Sequence, residues 1–582
     1  MVRVGGIAGV PAGLDETIFL DVDVAAIVAG MMPRLHPRWL SRRRRLHAAF
    51  LRACEPPDAS WLAYLGRKRR TWETSEVADL WASSPRRNDA WNHVYIHVPF
   101  CKSICSFCNY DRLRPSHPDQ LRAWTTHTVE TIEGLASGLS GLEFVTLYVG
   151  GGTPSVLPAE SIIRVVRALE AVVTFHPRAN RFFEMDPAVM TPTKLAAWQS
   201  LGFSHVSFGV QSLDADINEA HNRGRQDREL VARRFTELRA AGMHDVSCDF
   251  LLGLAGTTVD GIMNDIATVL SSHRPRWIDV YQLTPTAEYV DAHFGGSREA
   301  FWEHLRPFAE QAGDRMEAIA EENGYKLIRG QDHRFTIQKD SITAADGPMQ
   351  SHSPFSYSQL IADQQRPLSL LGLGPSARSR IFGEGWLTCE EPQGADGPFV
   401  FEGSRGTIAD EAHCYLVHAL RDGDRIDGPR FARIFGDSLA VLGGAGIAAL
   451  VAEGLAELTE AGLVMKPTDR RQRTADLLWL VDERRIEREL AHTLSFSMDA
   501  SSLWRRLHPL RPGTRMGTLT LEGVTDAAIQ LRGEDGPIHL RVCPPLSKEE
   551  GPGLVVESGI PSSAGQRRAL TSVVRLLSRT MA

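Results

Sequence analysis

From Val94 onward, short apolar runs alternate with amphipathic stretches at regular spacing. The runs are VYIHV (94–98), FVTLYV (144–149), RFFEM (181–185), HVSFGV (205–210), DVSCDFLLGL (245–254) and WIDVYQL (277–283), each with the length and the β-branched or aromatic content of a strand. Between them, AESIIRVVRALEAVV (159–173) and DRELVARRFTELRAAG (227–242) have helical periodicity, and the second closes at Gly242, as helices often do. Repeated β-α units whose strands are apolar on both faces predict a parallel sheet. Six such units predict an α/β fold of the partial (β/α)6 TIM-like barrel kind. After Leu283 the pattern becomes irregular, which argues against a full eight-unit barrel.

Around this core the texture changes several times. Residues 1–90 read as a helical N-terminal extension of unassigned role, and 91–390 as the core with its closing segment. Within the latter, 343–367 is polar and loop-like and leads into LLGLGPSARS, where Gly372 and Gly374 predict a tight turn. Residues 395–480 read as a C-terminal helical module that ends, winged-helix-like, in GLAELTEAGLVM. Residues 485–582 form an additional α+β region of unassigned role, with a hairpin signal in AIQLRGEDGPIHLRV and an amphipathic helix over 564–580.

Composition narrows the class without naming it. In 582 residues, 43% hydrophobic and 23% charged positions describe a folded chain rather than a disordered or fibrous one. Lys plus Arg number 64 against 71 for Asp plus Glu, a net charge of −7, so the whole chain is not a polycation seeking nucleic acid or anionic lipid. Basic runs at 42–45 and 67–70 read as solvated helix faces, with an anionic docking surface as the alternative. Mean hydropathy is −0.18, and no apolar stretch reaches the ~20 residues of a bilayer span. The first residues meet Asp15 and Glu16 before any continuous apolar segment, so no secretory signal is read and a cytoplasmic location is expected.

Eight cysteines in so long a chain do not make a disulfide framework, yet three of them crowd into YIHVPFCKSICSFCNY. Cys101, Cys105 and Cys108 form CxxxCxxC directly after the first strand of the series. Three thiolates on one short loop can ligate three irons of a cubane and leave the fourth open to a small chelator. A structural zinc site competes, but wants a fourth ligand and a CxxC pair on each side. Cys54, Cys248, Cys389, Cys414 and Cys543 are isolated and read as small buried hydrophobes. One β-α unit after the cysteine loop, Gly150, Gly151, Gly152, Thr153 and Pro154 follow the second strand, where glycines let backbone amides approach a ligand.

CxxxCxxC after a first strand and a glycine motif after the second resemble the radical S-adenosylmethionine (SAM) superfamily. Residues 94 to about 380 further resemble its oxygen-independent coproporphyrinogen dehydrogenase branch, with YIHVPFC, YVGGGTPSVL, EMDP, SFGVQS, HNRGRQ, DFLLGL and GLGPSA in the expected order. The resemblance implies a 4Fe-4S cluster on Cys101, Cys105 and Cys108. Its open iron is chelated by SAM, whose reductive cleavage gives a 5′-deoxyadenosyl radical that abstracts hydrogen. It also implies that Gly151, Gly152, Thr153, Glu184, Gln211, Arg223 and Asp249 hold the cofactor. Arg223 would pair the SAM carboxylate and Asp249 the ribose hydroxyls, which agrees with the preference of a carboxylate for a guanidinium and of a diol for a carboxylate. Tyr95 and Phe107 match positions packed near cofactor and cluster, and Thr284 one against adenine; the role of His97 stays open, and no general base is evident.

Departures from the branch bear on the reaction. The dehydrogenases carry a further Cys two positions after the third cluster Cys, where this chain has Asn109 and Tyr110. Haem chaperones carry an HNxxYW-type motif, whereas the corresponding stretch here reads HSPFSY (352–357). A third group, the class C radical methyltransferases and related cyclopropane-forming enzymes of natural-product pathways, is the most similar. That resemblance implies two SAM molecules, one cleaved and one donating a methyl or methylene carbon to an sp2 carbon of an aromatic or heteroaromatic substrate. It implies electrons from a flavodoxin or ferredoxin; net charge and hydropathy lead us to expect neither nucleic acid nor membrane as partner. Oxidative decarboxylation of a porphyrinogen, or haem carriage without catalysis, are the alternatives.

Overall fold

The computed structural model describes residues 35–53, 62–63, 69–110, 112–330, 334–339, 361–391 and 397–487, together with strands at 515–516, 519–524, 528–533, 536–543 and 553–558. They divide into two compact units, Lys68–Ser438 and a second that joins Met1–Arg67 to Leu439–Ala582.

The first unit is built on a thirteen-stranded sheet. Its strands in chain order are β1 (Arg70–Trp72), β2 (Trp91–Val98), β3 (Glu143–Gly151), β4 (Thr174–Met185), β5 (His205–Gln211), β6 (Asp245–Leu252), β7 (Trp277–Gln282), β8 (Tyr325–Arg329), β9 (Phe335–Lys339), β10 (Leu368–Leu373), β11 (Arg378–Ile381), β12 (Gly385–Glu390) and β13 (Val400–Arg405). Strands β2 to β7 lie side by side in chain order and all parallel, as the six apolar runs predict. Helices Ala159–Val172 and Arg228–Ala240 return the chain between neighbouring strands. Asp227 caps the second through its side chain, and Gly242 follows it with φ +77°. The result is a mixed α/β fold, a partial TIM-like barrel with helices beyond it.

The barrel does not go on to eight β-α units. Beyond β7 the sheet continues antiparallel through β9 and β8, and beyond β2 it gains parallel β10 and then antiparallel β11, β12, β13 and β1. Two expectations change here. Gly372 is not part of a turn: LSLLGL is an apolar run buried along its whole length, and a Cβ at Gly372 would stand 2.4 Å from the carbonyl oxygen of Arg378 on β11. The turn begins at Gly374, with φ +93°. The core also reaches further towards the N-terminus than residue 91, because β1 pairs with β13 and the helix Thr74–Ser83 buries Val77, Leu80 and Trp81.

In the second unit, the basic run lies on the helix Pro37–Ala53. Arg42 and Arg44 pair with Glu487 and Glu453 at 2.6 and 2.9 Å. Arg43 is buried, donates to the carbonyls of Leu478, Trp479 and Val481, and stands beside His47, whose ring lies 4.0 Å from that of Trp479. That burial, with the charge of Arg43, pushes the His47 pKa down to about 3. The helix Gly444–Ala452 is followed by the hairpin Ala456–Thr459 and Gly462–Met465, the wing expected from GLAELTEAGLVM. The hairpin signal at 528–542 is likewise a pair of antiparallel strands, in a five-stranded sheet. The segment 343–360, Cys54 and the helix expected over 564–580 lie outside the described residues. Cys248, Cys389 and Cys414 are buried, and among the described residues no helix is long and apolar enough to cross a membrane.

Gly374 couples the sheet to what lies above it, since a Cβ there would stand 2.2 Å from the carbonyl oxygen of His97, at the end of β2. Replacing Gly374 by Ala is expected to cost about 2 kcal/mol in denaturant unfolding, from left-handed strain plus that collision. Gly141→Ala has φ +76° but nothing within 4 Å, and should cost about half as much.

Candidate active site

The carboxyl ends of β2 to β7 open on one rim, the side where parallel barrels assemble their chemistry. The loop leaving β2 carries the three cysteines. Its path is tied at the start, where Cys101 N donates to Leu113 O (3.0 Å) and Leu113 N to Pro99 O (2.7 Å). The turn leaving β3 closes on it from the side: Gly152 N donates to Val98 O (2.8 Å) and Thr153 N to Phe100 O (2.7 Å). A Cβ at Gly152 would lie 2.8 Å from Phe100 O and 3.0 Å from Cys101 Sγ, so only glycine admits the loop this closely. Gly151, at φ +112°, meets the ring of His97 in the same way. The Thr153 hydroxyl lies 3.5 Å from Cys101 Sγ.

Cys101, Cys105 and Cys108 are free thiols. Burial pushes the Cys101 thiol up, eased by the Thr153 hydroxyl, and also that of Cys105, where Arg223 pulls it back. Arg223 follows β5 and reaches across the rim, with Nη1 3.9 Å from Cys105 Sγ and Nη2 donating to Gly209 O at 2.6 Å. Although burial alone would lower its pKa, Asp186, Cys105 and Asp249 raise it. Its Nε is buried without a hydrogen-bond partner, a donor suited to an anionic group. Gln211, at the end of β5, has φ +64°, and a Cβ at Gly209 would meet both Gln211 Nε2 (2.6 Å) and Arg223 Nη2 (2.7 Å).

Inward-facing residues of the strands supply an acidic and phenolic lining. Glu184 accepts from the Tyr148 hydroxyl and from Gly151 N (3.1 Å). Burial raises its pKa, and those two donors hold it back. Burial, then the charges of Asp279 and Glu184, push Asp249 well above the usual carboxylate range, opposed by Arg334 and Arg223. The Tyr95 hydroxyl hydrogen-bonds His97 Nδ1 at 3.0 Å, and its ring lies 5.8 Å from that of Tyr148. Phe107 meets His221 edge-on at 6.1 Å. The site residues expected from sequence therefore meet at one rim, except Thr284, which is exposed just past β7 with no contact that ties it to the others.

Sequence reasoning missed a second group. Asp279 on β7 accepts from Thr336 Oγ1 on antiparallel β9 (2.6 Å) and pairs with Arg334, the residue just before β9 (3.4 Å), and the Arg334 guanidinium lies over the Tyr281 ring at 4.9 Å. A charged residue inside the apolar run WIDVYQL was the available signal. Tyr110, noted only as a departure, is 66% exposed and within electrostatic reach of Glu184, Asp249 and Arg334.

Residues 95–269 match the family model of the Radical SAM superfamily. Over those residues the chain is similar to radical SAM domains. The domain and its surroundings are similar to curated proteins of Cereibacter sphaeroides. An oxygen-independent coproporphyrinogen III oxidase is 30% identical over 179 residues, 31% of this chain and 40% of the relative. A protein named coproporphyrinogen III oxidase, anaerobic 1, is 27% identical over 359 residues, 59% and 75% of the two chains. The heme chaperone HemW of Bacillus subtilis is 30% identical over 182 residues, 31% and 47%. The chain thus spans less than half the length of the first and third of these relatives. Its fold matches the coproporphyrinogen III oxidase HemN of Escherichia coli with a TM-score of 0.55 over 70% of this chain and 94% of that one, at 19% identity.

A radical SAM domain implies a 4Fe-4S cluster and SAM, and the residues fit both. Three free thiols line one loop, the glycine turn leaves room at Cys101, and Arg223 keeps a buried donor unpaired. Among the described residues, no three His, Cys, Asp or Glu side chains gather round a single metal ion.

Two substitutions probe this arrangement. Gly152→Ala should cut the iron bound after anaerobic reconstitution several-fold, measured per chain, because the Cβ displaces Cys101. Tyr148→Phe removes a donor that holds the Glu184 pKa down, so the carboxylate should protonate at a higher pH. With ionised Glu184 holding the cofactor, the acid limb of the SAM-cleavage profile should move to higher pH.

Proposed function

We propose that this chain is a radical SAM enzyme in which Cys101, Cys105 and Cys108 hold a 4Fe-4S cluster and one SAM lies across the rim. When bound, the cluster supplies the single electron that cleaves the sulfonium carbon–sulfur bond of SAM. Arg223 pairs the SAM carboxylate with the donor it has to spare. Glu184, between Tyr148 and Gly151, takes the amino group, Asp249 the ribose diol, and Gly151, Gly152, Thr153 and Gln211 complete the cradle. The observation that carries this reading is the meeting of three free thiols with the glycine turn and the Arg223 guanidinium.

For the overall reaction, we propose hydrogen abstraction from a small molecule in the barrel, leading to oxidation of the kind named for the coproporphyrinogen III oxidases. Their similarity over most of a relative's length supports it. Asn109 and Tyr110, in place of the further cysteine, favour a second reading, in which a second SAM donates a methyl or methylene carbon to an aromatic or heteroaromatic substrate. In either case we propose a flavodoxin or ferredoxin as reductant.

One assay separates these readings. The reconstituted chain receives dithionite, SAM and either coproporphyrinogen III or aromatic acceptors, and 5′-deoxyadenosine, S-adenosylhomocysteine and carbon dioxide are measured together. Oxidative decarboxylation predicts 5′-deoxyadenosine with carbon dioxide, whereas methyl transfer predicts 5′-deoxyadenosine with S-adenosylhomocysteine. Cys101→Ala, Cys105→Ala and Cys108→Ala should each abolish 5′-deoxyadenosine. Cleavage retained in any of them contradicts the cluster assignment, and stoichiometric haem binding without SAM cleavage contradicts an enzymatic role.

A further inference from the structure

Against the cysteine loop lies a hydrogen-bonded group that the proposed chemistry does not use. Ser106 stands between Cys105 and Phe107. Its backbone N donates to His221 O (3.1 Å), and its Oγ lies 2.9 Å from His221 Nδ1 and 3.1 Å from His293 Nε2. His221 Nε2 lies 3.1 Å from Ala255 O. Tyr289 stacks on His221 at 5.6 Å with a 21° interplanar angle, and its hydroxyl accepts from Ala255 N at 2.8 Å.

The direction of this chain of bonds follows from chemistry. A carbonyl oxygen only accepts, so His221 Nε2 carries the hydrogen that meets Ala255 O. Nδ1 of the neutral ring is then an acceptor, and Ser106 O–H must donate to it. That leaves the Ser106 oxygen to accept from His293 Nε2–H. Each hydrogen bond thus has one direction, and burial of His221, which lowers its pKa, favours the neutral ring the pattern requires.

Four separate stretches of the rim meet in this group. Ser106 comes from the loop after β2, His221 from the turn after β5, Ala255 from the loop after β6, and Tyr289 and His293 from the helix Ala287–Phe294 after β7. His221 is also two residues from Arg223, which reaches Cys105. The same short turn therefore grips the cysteine loop twice, through Ser106 and at Cys105.

We propose that Ser106, His221 and His293 form a positioning relay that fixes the cysteine loop against the turn carrying Arg223, and so sets how firmly the cluster is held. The relay residues act through Cys105 and Arg223. The inference rests on the reading of the cysteines as cluster ligands, so one arm of the test needs no cluster.

The first arm follows amide hydrogen exchange over residues 99–113 in the metal-free chain. The second follows iron loss from the reconstituted chain to a ferrous chelator. Ser106→Ala and His221→Phe, the latter keeping a ring against Tyr289, should each speed exchange over 99–113 several-fold and leave the helix Ala159–Val172 unchanged. Each should also speed iron loss by about tenfold, the usual scale for partners that orient metal ligands. The double variant should be no worse than the worse single one, and Ser106→Thr, which keeps the hydroxyl, should behave as wild type. Unchanged exchange and iron loss in Ser106→Ala, additive effects in the double variant, or Ser106→Thr resembling Ser106→Ala would each overturn the relay. A wild-type chain that takes up no iron would instead overturn the cluster reading, and the exchange arm would still decide the relay.

Discussion

The site depends on a seam between two pieces of backbone. Gly152 N and Thr153 N donate to Val98 O and Phe100 O, drawing the turn after β3 against the start of the cysteine loop. Backbone can come this close only where there is no Cβ, which is why Gly151 and Gly152 stand where they do. The seam sets the place of Cys101, and Arg223 approaches Cys105 with Nη1 at 3.9 Å from its sulfur.

The strands explain why the seam lies at this rim. Parallel β2 to β7 deliver six successive chain segments to the same edge, so residues far apart in sequence meet without long excursions. Their inward faces add a lining of Tyr95, Tyr148, Glu184, Asp249 and Asp279, in which burial and like charge oppose ionisation of Asp249 while Arg223 and Arg334 favour it. A carboxyl group kept costly to charge and facing guanidinium donors, as Asp249 is, is poised to pair with a polar ligand. The strands added at either side do different work: the residue before β9, Arg334, meets Asp279, and β10 runs parallel to β2 and leads into Gly374, which closely approaches His97.

The parallel core was legible because each strand is a local apolar run, and β5 and β7 were read to within a residue. β4 begins at Thr174, seven positions before RFFEM, because its first half is polar and pairs only through a register shift with β3. β1 and β13 pair across more than three hundred residues, and nothing in RTW announces that partner. The same distinction runs through the site. CxxxCxxC, the glycine turn and Arg223 could be found as motifs, since their chemistry is written in short stretches. Ser106 with His221 and His293, and Asp279 with Arg334, could not, because each group is assembled from separate ends of the fold and no single segment carries its pattern.

The account's central claim is that three cysteines ligate a cluster whose remaining iron is open to SAM. Mössbauer spectroscopy of the chain reconstituted with ⁵⁷Fe, recorded with and without SAM, tests it most directly. The account predicts that one iron site of the 4Fe-4S cluster changes its isomer shift and quadrupole splitting when SAM is added while the other three do not, and that Arg223→Ala weakens the SAM concentration dependence of that change. A cluster whose four irons are all indifferent to SAM, or iron that does not assemble into a 4Fe-4S cluster, would contradict it.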